Sequence, residues 1–300
     1  MRATTILPIV LISLCAAPAS AQELTGTLKK IKDTGAITLA HRESSVPFSY
    51  YDDKQQVVGY AMDLCYRIVD AIKSHLKVDK LEVRLNPVTS ATRIPLIANG
   101  TVDLECGSTT NNLERQKQVS FTITHFVTAN RFVSKKSANL KTVEDLRGKT
   151  VVSTSGTTNI KQINEISAQK GLNLNILAAK DHAEAFLMVE TGRAAAFVMD
   201  DILLYSLVAA SKSPQDYVIS ADALSVEPYG IMLPRGDAPF KKVVDEAMIA
   251  TYKGGAINAI YDKWFLKPIP PKGINLNVPM SDSFKKVIAS PTDSGDPAVY

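Results

Sequence analysis

Apolar positions recur along this chain in two patterns. Short apolar runs predict buried strands, and apolar residues three or four apart, as at Leu64, Ile68 and Ile72, predict a helix. Strand and helix patterns alternate along most of the chain, which predicts the α/β class with a mostly parallel sheet. The predicted strands are residues 36–40, 81–85, 102–104, 151–152, 173–177 and 194–199, and helices are predicted to begin near residues 63, 93, 111, 142, 157 and 181.

The pattern occurs twice, and the second unit begins after Lys135 and Lys136. In each unit a strand leads through a turn rich in hydroxyl groups or glycine into a helix, and a later strand ends in polar residues. Ligands of open α/β sheets bind beyond the carboxyl ends of the strands. Two lobes with facing strand ends therefore predict a ligand in the cleft between them. The polar clusters are residues 41–43, 90–93, 108–115 and 155–158, and Asp200.

The first residues are typical of a secretory signal peptide. Arg2 is followed by the apolar run 6–12, and residues 19–21 form a small-x-small cleavage site, so we expect cleavage after Ala21. A lipoprotein signal at Cys15 is the weaker alternative, because a bulky leucine precedes it where a small residue is usual. The mature protein is therefore predicted to be exported.

Composition and charge narrow the class of protein. Hydrophobic residues make up 45% of the chain and charged residues 21%, as in folded globular proteins. The formal net charge is only +4 and no basic run exceeds two residues, so we expect no nucleic-acid partner. No H-E-x-x-H or C-x-x-C pattern occurs, and we expect neither a metal nor a cofactor. Residues 291–297 are predicted to form a loose tail.

Cys65 and Cys106 are the two cysteines that remain after cleavage of the signal peptide. In an oxidising compartment two cysteines often pair. The sequence leaves open whether these two form a disulfide or stay as separate buried thiols.

Residues 105–115 carry the most chemical information. A strand end is followed by the hydroxyl groups of Ser108, Thr109 and Thr110, and then by a predicted helix that has Arg115 in its first turns. Backbone N–H groups, hydroxyl groups and a guanidinium together suit a small carboxylate. No nucleophile–base pair accompanies them. The alternative is an ordinary strand–turn–helix connection with normal capping.

With these segments the chain resembles the periplasmic substrate-binding proteins of bacterial amino-acid ABC importers, in particular those for glutamate and aspartate. The resemblance covers residues 24–282 and implies a two-lobed clamshell, each lobe a mainly parallel sheet with helices on both faces, joined by two hinge strands. Lobe 1 would comprise residues 22–127 and 231–300, lobe 2 residues 131–227, and the hinges would lie near 127–131 and 227–231. The segments that carry the resemblance are residues 41–51, 90–96, 105–115, 155–158, 180–182, 197–201, 264–265 and 268–271.

The resemblance also implies how an acidic L-amino acid would be held. Its three charged groups need partners, because an unpaired buried charge is very costly. The α-carboxylate would bind Arg115, Thr110, Thr157 and Thr158; the α-ammonium Asp200 and Ser108; and the side-chain carboxylate Arg42, Ser90, Arg93 and His182. The protein would be a periplasmic monomer that delivers its ligand to an inner-membrane permease.

Three functions are compatible with these residues. The leading hypothesis is a transport binding protein for L-glutamate and L-aspartate, and the sequence ranks neither ligand over the other. The first alternative is an enzyme on the same clamshell, such as a dehydratase, with Glu105, Glu227 or His182 as its general acid or base. The second alternative is a sensory module with the same pocket.

Overall fold

The computed structural model describes residues 24–300, so the predicted signal peptide and its cleavage site lie outside the described residues. The helices are α1 (Gly26–Thr34), α2 (Tyr60–Leu76), α3 (Arg93–Ala98), α4 (Thr158–Gln169), α5 (His182–Glu190), α6 (Asp201–Ala210), α7 (Ala238–Lys253), α8 (Ala256–Tyr261) and α9 (Asp282–Ala289). The strands are β1 (Ala36–His41), β2 (Ser44–Ser45), β3 (Ser49–Tyr51), β4 (Val57–Val58), β5 (Glu82–Pro87), β6 (Leu104–Cys106), β7 (Ser120–Phe121), β8 (Phe126–Lys135), β9 (Thr150–Thr154), β10 (Asn175–Ala179), β11 (Ala196–Asp200), β12 (Tyr217–Ile219), β13 (Ser225–Tyr229) and β14 (Met232–Leu233). Within this range no helix combines the length and the apolar character that a membrane span needs.

The first sheet has five strands in the order β5–β1–β6–β14–β7. Strand β1 pairs in parallel with β5 and β6, and β14 lies antiparallel to β6 and β7. Helix α2 packs on this sheet through Leu64, Ile68 and Ile72, which are fully buried. These are the positions that the helical spacing selects, so the sheet and its covering helix follow from the apolar pattern.

The second sheet has the order β10–β9–β11–β8–β12, and β13 also pairs with β8. Strand β9 is parallel to β10 and β11, whereas β8 is antiparallel to β11, β12 and β13. Each large sheet therefore has three parallel strands and is completed by antiparallel ones. The carboxyl ends of β9 and β11 bring Thr154 and Asp200 to the same edge of this sheet.

The chain passes between the two sheets through one antiparallel pair of strands. Strand β8 follows β7 of the first sheet, and β13 leads back to β14; Thr128 pairs with Glu227 in this ladder. Aromatic rings pack around its first-sheet end, with ring centroids 4.9 Å apart for Phe126 and Phe265 and 5.2 Å apart for Phe48 and Tyr229. This packing fixes the end of the ladder in the core of the first sheet.

Cys65 of α2 and Cys106 of β6 form a disulfide, and both residues are fully buried. The bond joins the covering helix to the strand that leads directly into residues 107–110. Of the two possibilities that the sequence leaves open, pairing is the one that occurs.

We expect the double variant Cys65→Ala/Cys106→Ala to fold with a free energy of unfolding lower by about 2–4 kcal/mol. The bond closes a loop with a sequence separation of 41 residues, so its loss increases the entropy of the unfolded chain. Urea unfolding of the parent and the variant measures the difference. Equal unfolding midpoints and slopes would show that this bond adds nothing to stability.

The expectation of a loose tail at residues 291–297 is wrong. The side-chain amide of Asn111 donates hydrogen bonds to the carbonyl oxygens of Asp293 at 2.8 Å and Ser294 at 3.3 Å. The hydroxyl oxygens of Tyr300 and Thr124 lie 2.7 Å apart. The polar composition is misleading here, because hydrogen bonds and an ion pair between Asp293 and Lys241, rather than apolar side chains, hold this segment to the fold.

Candidate ligand site between the two sheets

Two arginines from loops of the first sheet are buried at its carboxyl edge. Arg42 follows β1 and Arg93 opens α3, and each is only 2% exposed. The Nη2 atom of Arg42 donates to the Ser90 hydroxyl at 2.8 Å. The Nη1 atom of Arg93 donates to the carbonyl oxygen of Ser108 at 3.2 Å and to the Thr109 hydroxyl. Strand ends and helix start therefore bring these side chains together, as the sequence predicts.

The helix predicted to begin near residue 111 is wrong. Residues 107–114 form a loop, and Arg115 begins a single 3-10 turn. The N–H group of Asn111 donates to the carbonyl oxygen of Pro228 at 2.7 Å, so the expected cap is bound to another strand. Arg115 is 7% exposed and donates to the carbonyl oxygen of Thr110 at 2.8 Å. The guanidinium is buried as expected, but no helix N-terminus accompanies it.

Helix α4 of the second sheet supplies a helix N-terminus instead. The Thr157 hydroxyl caps the helix by accepting from the N–H group of Ile160 at 3.2 Å. Thr158 donates to Glu227 Oε2 at 3.0 Å, and Thr157, Thr158 and Asn159 all line the cavity described below. The first turn of a helix favours an anion, so this wall suits a carboxylate.

Asp200 is the acidic group of the site and is 3% exposed at the end of β11. Its Oδ1 accepts from the Asn159 side chain at 2.7 Å, and its Oδ2 accepts from the Tyr229 hydroxyl. Burial, and then the negative charge of Glu227, raise the pKa of the Asp200 carboxyl to about 7. A cation bound beside it would lower this pKa again.

His182 opens α5 opposite the two arginines. Its Nδ1 lies 2.8 Å from the Thr154 hydroxyl, and its Nε2 has no partner among residues 24–300. Burial lowers the pKa of the ring well below its ordinary value, and the charges of Arg42 and Arg93 lower it further. The imidazole is therefore neutral at pH 7 and can offer a hydrogen bond without a charge.

Arg42, Arg93 and Arg115 are buried positive groups, and none of them forms an ion pair with a carboxylate of residues 24–300. Burial lowers the pKa of Arg42 to about 9 and of Arg115 to about 10, and in both cases the charge of Arg93 adds to the effect. In the part of the chain that the structure describes, no carboxylate lies within 4.0 Å of these three guanidinium groups. The Nη1 atom of Arg42 and the Nε atom of Arg93 also lack hydrogen-bond partners there. A buried anion is the group that this arrangement would stabilise.

Residues of both sheets enclose a cavity of about 10 Å³, which is room for about one water molecule. An amino acid is far larger, so the two walls must move apart before such a ligand can enter. No group of three or more His, Cys, Asp or Glu within residues 24–300 is arranged to hold a metal ion.

Eight of the ten predicted site residues line this cavity, and two lie behind it. Arg42 is bonded to Ser90 and Arg115 to the carbonyl oxygen of Thr110, and both of these partners do line it. The eight are Ser90, Arg93, Ser108, Thr110, Thr157, Thr158, His182 and Asp200.

Three residues that line the cavity are not among the predicted site residues: Asn159, Met199 and Leu203. Asn159 follows the Thr-Thr pair in the first turn of α4, and its position next to that cap is a signal that could have identified it. Met199 and Leu203 are apolar and differ in no visible way from other residues of their strand and helix.

Contacts across the cleft hold the two walls together. Arg115 Nη2 donates to the carbonyl oxygen of Gly156 at 3.2 Å, and the Thr110 and Thr158 hydroxyl oxygens are 3.5 Å apart. Gly156 has a φ of +77°, and a Cβ atom there would lie 2.5 Å from the Cα of Ala91 on the opposite wall. The backbones of the two walls therefore touch at a position where only glycine fits.

Residues 37–267 match the family model of bacterial extracellular solute-binding proteins, family 3. The chain belongs to this family. It is 55% identical to an L-glutamate/L-aspartate-binding protein of Pseudomonas aeruginosa, over 95% of this chain and 94% of the relative. It is 45% identical to a glutamate/aspartate import solute-binding protein of Escherichia coli, over 97% of each chain. A solved structure of ArgBP from T. maritima matches with a TM-score of 0.70 at 26% identity, over 79% of this chain and 98% of that chain.

The two-lobed clamshell expected for a solute-binding protein is confirmed, since its structural neighbours are two-lobed amino-acid-binding proteins. The curated relatives are transport solute-binding proteins and not enzymes. Of the three candidates for a general acid or base, only His182 lines the cavity. Glu105 and Glu227 accept hydrogen bonds from Thr109 and Thr158.

Proposed function

We propose that this solute-binding protein captures L-glutamate and L-aspartate in the cleft between its lobes and delivers them to an ABC permease. One observation carries the proposal: Arg93 and Asp200 line one cavity, and two further buried guanidinium groups, those of Arg42 and Arg115, lie behind it. An acidic amino acid has two carboxylates, which guanidinium groups stabilise, and one ammonium, which a carboxylate stabilises. The names of the relatives from Pseudomonas aeruginosa and Escherichia coli support the same ligands.

The α-carboxylate binds Arg115, and the first turn of α4 completes its surroundings. The guanidinium fork matches the two oxygens of a carboxylate, and the helix N-terminus adds N–H donors. Hydroxyl groups from both lobes, those of Thr110, Thr157 and Thr158, surround the same position.

The α-ammonium binds the Asp200 carboxylate, and Ser108 accepts a further hydrogen bond. Asn159 and Tyr229 orient the two carboxylate oxygens, which leaves their remaining lone pairs for the ligand. The Ser108 hydroxyl is buried and has no partner within residues 24–300.

The side-chain carboxylate binds Arg93, Ser90 and His182, and Arg42 acts from behind Ser90. Arg93 lines the cavity directly, so it contributes the larger share of the charge. Arg42 orients the Ser90 hydroxyl and adds a second positive charge.

Ligand entry requires the two lobes to separate. Lobe 1 comprises residues 22–127 and 231–300, and lobe 2 residues 131–227, with hinges near 127–131 and 227–231. The support for this division is that β8 and β13 connect the two sheets as one paired ladder, the arrangement about which periplasmic binding proteins close.

The protein acts in the periplasm as a monomer, after removal of its signal peptide at Ala21. Its partner is the inner-membrane permease of an amino-acid ABC importer. Support for the location and the partner comes from the signal-like first residues and from relatives that are import solute-binding proteins.

Calorimetric titration of the mature protein with each of the common amino acids tests the proposal. We expect glutamate and aspartate to bind with dissociation constants near or below micromolar, about −8 kcal/mol or stronger, and to be recovered unchanged. Binding of neither acidic amino acid, or consumption of the ligand, would refute it. Loss of glutamate uptake on deletion supports transport, whereas intact uptake with lost signalling would point to a sensor.

We expect the affinity for glutamate to rise with pH and to level off above about pH 7. In the closed and empty cleft, burial and Glu227 raise the pKa of Asp200 to about 7, and the ligand ammonium lowers it, so binding in this cleft releases a proton. Affinity is therefore lost as the pH falls through 7. The dissociation constant at pH 6 should be about tenfold that at pH 8, or about 1.4 kcal/mol. Titrations in buffers of different ionisation enthalpy measure both the affinity and the released proton. Equal or tighter binding at pH 6 would contradict this role of Asp200.

We expect Gly156→Ala to weaken the binding of every amino acid by roughly 10- to 100-fold, about 1–3 kcal/mol, as overpacking does in a core. The added Cβ would lie 2.5 Å from the Cα and 2.7 Å from the N of Ala91, so it would keep the lobes apart. Gly171→Ala is the matched control, because Gly171 also has a positive φ, +58°, but no atom within 4 Å of its Cβ position. It should share the backbone strain and keep the parent affinity. Equal affinities of the two variants would mean that this contact does not govern closure.

A further inference from the structure

The C-terminal segment, residues 290–300, follows α9 and lies beyond residues 37–267, which match the family model. It runs along the loop formed by residues 107–116, which we call the Arg115 loop. We propose that the C-terminal segment positions the Arg115 loop for ligand binding. The inference rests on the proposed function of the cleft, and it gives a role to a segment that the family match leaves out.

Two side chains of the Arg115 loop donate hydrogen bonds to the same backbone carbonyl of the C-terminal segment. The buried side chain of Asn111 donates to the carbonyl oxygen of Asp293 at 2.8 Å, and Gln116 Nε2 donates to the same oxygen at 3.0 Å. Gln116 Nε2 also donates to Asn111 Oδ1 at 2.9 Å. Asn111 follows Thr110 and Gln116 follows Arg115, so each of these two hydrogen bonds comes from a residue that is adjacent in sequence to one proposed to hold the α-carboxylate.

Between Asn111 and Gln116, the backbones of the C-terminal segment and the Arg115 loop are in direct contact. Gly295 is buried, and a Cβ atom there would lie 2.8 Å from the carbonyl carbon of Asn112 and 2.8 Å from the nitrogen of Leu113. No side chain fits at this position without separating the two backbones. The contact continues into the site, because Asn112 Oδ1 accepts from the N–H group of Arg115 at 2.8 Å.

The segment is itself anchored to the body of the first lobe, so it can act as a rigid support. The Asp293 carboxylate pairs with Lys241 of α7 at 2.8 Å. The carbonyl oxygen of Thr292 accepts from the N–H group of Thr124 at 2.8 Å, and the hydroxyl oxygen of Tyr300 lies 2.7 Å from that of Thr124. These anchors lie at both ends of the segment, on either side of the contact with the loop.

The loop needs this support because it has little regular structure of its own. Residues 107–114 belong to no helix or extended strand, although Thr110 makes one isolated bridge to Tyr229. A mobile loop must be ordered when the ligand binds, and that entropy cost weakens affinity. A loop already held against the C-terminal segment presents Thr110 and Arg115 in place, so binding avoids this cost.

Three variants test the inference in the mature protein: Gly295→Ala, a truncation that removes residues 291–300, and the control Val299→Ala. Val299 belongs to the same segment, and 56% of it is exposed. We expect Gly295→Ala to raise hydrogen–deuterium exchange of residues 111–116 in the ligand-free protein at least tenfold and to weaken glutamate binding about tenfold. The truncation should increase loop exchange and weaken glutamate binding more than Gly295→Ala does. Val299→Ala should change neither the exchange nor the affinity. The single substitution keeps the test decisive if the truncated chain fails to fold.

Parent-like loop exchange in Gly295→Ala, or raised exchange with an unchanged dissociation constant, overturns the inference. Hydrogen–deuterium exchange is measured without ligand, so its result does not depend on which ligand the cleft binds. If the parent binds no acidic amino acid, the proposed function fails, and the exchange arm alone then decides whether the segment positions the loop.

Discussion

Asp200→Ala is expected to weaken the binding of glutamate, aspartate and glutamine alike, each by about 3–5 kcal/mol. Every amino acid carries an α-ammonium, which loses its hydration when it binds. The Asp200 carboxylate, which is 3% exposed, compensates for this loss. Without that carboxylate the ammonium would be buried and unpaired. Asn159 and Tyr229, which orient Asp200, offer no compensating negative charge.

The adjacent carboxylate provides the matched control for this prediction. Asp201 pairs with Arg131 at 3.1 Å, and it does not line the cavity. Asp201→Ala should therefore leave all three dissociation constants within a factor of a few of the parent values. Calorimetry on both variants, with far-ultraviolet circular dichroism to verify folding, measures the effect. A larger loss in Asp201→Ala than in Asp200→Ala would reverse the assignment of the two residues.

Arg93→Ala is expected to weaken glutamate binding by about 3–5 kcal/mol and glutamine binding by much less. Arg93 lines the cavity, and its Nε has no partner among the described residues 24–300. Glutamate brings a second carboxylate that needs this charge, whereas glutamine brings a neutral amide. Selectivity for the acidic ligand should therefore narrow or invert.

Substitutions of two further arginines test whether the loss of glutamate affinity depends on the position of the arginine relative to the cavity. Arg42→Met should lose less affinity for glutamate than Arg93→Ala, because Arg42 reaches the cavity through Ser90. Arg84→Ala should change nothing, since Arg84 pairs with Glu82 on the surface. Parent-like glutamate binding by Arg93→Ala would mean that another group holds the side-chain carboxylate, and the ligand would have to be assigned again.

Two helices that begin where the sequence predicts them have a side-chain cap. Helices expected near residues 157 and 181 begin at Thr158 and His182, because Thr157 and Asp181 cap them. The strand expected at 102–104 is instead Leu104–Cys106. Its bounds depend on pairing with β1, a long-range contact that the local apolar run does not encode.

The features of the fold and the site that the sequence does not predict depend on contacts between distant segments. Asn111 has the sequence context of a helix cap, yet Pro228 and Asp293 take its hydrogen bonds, so no helix forms. The order of residues 291–300 has the same origin. Asn159 joined the site because the beginning of α4 lies beside the end of β11, which the periodicity of the sequence does not reveal.

A crystal structure of the mature protein with bound L-glutamate would show which side chains hold the three charged groups of the ligand. We expect the ligand between the lobes, with its ammonium on Asp200, its α-carboxylate between Arg115 and the first turn of α4, and its side-chain carboxylate on Arg93. A ligand bound outside this cleft, or one whose ammonium faces the arginines while a carboxylate faces Asp200, would contradict it.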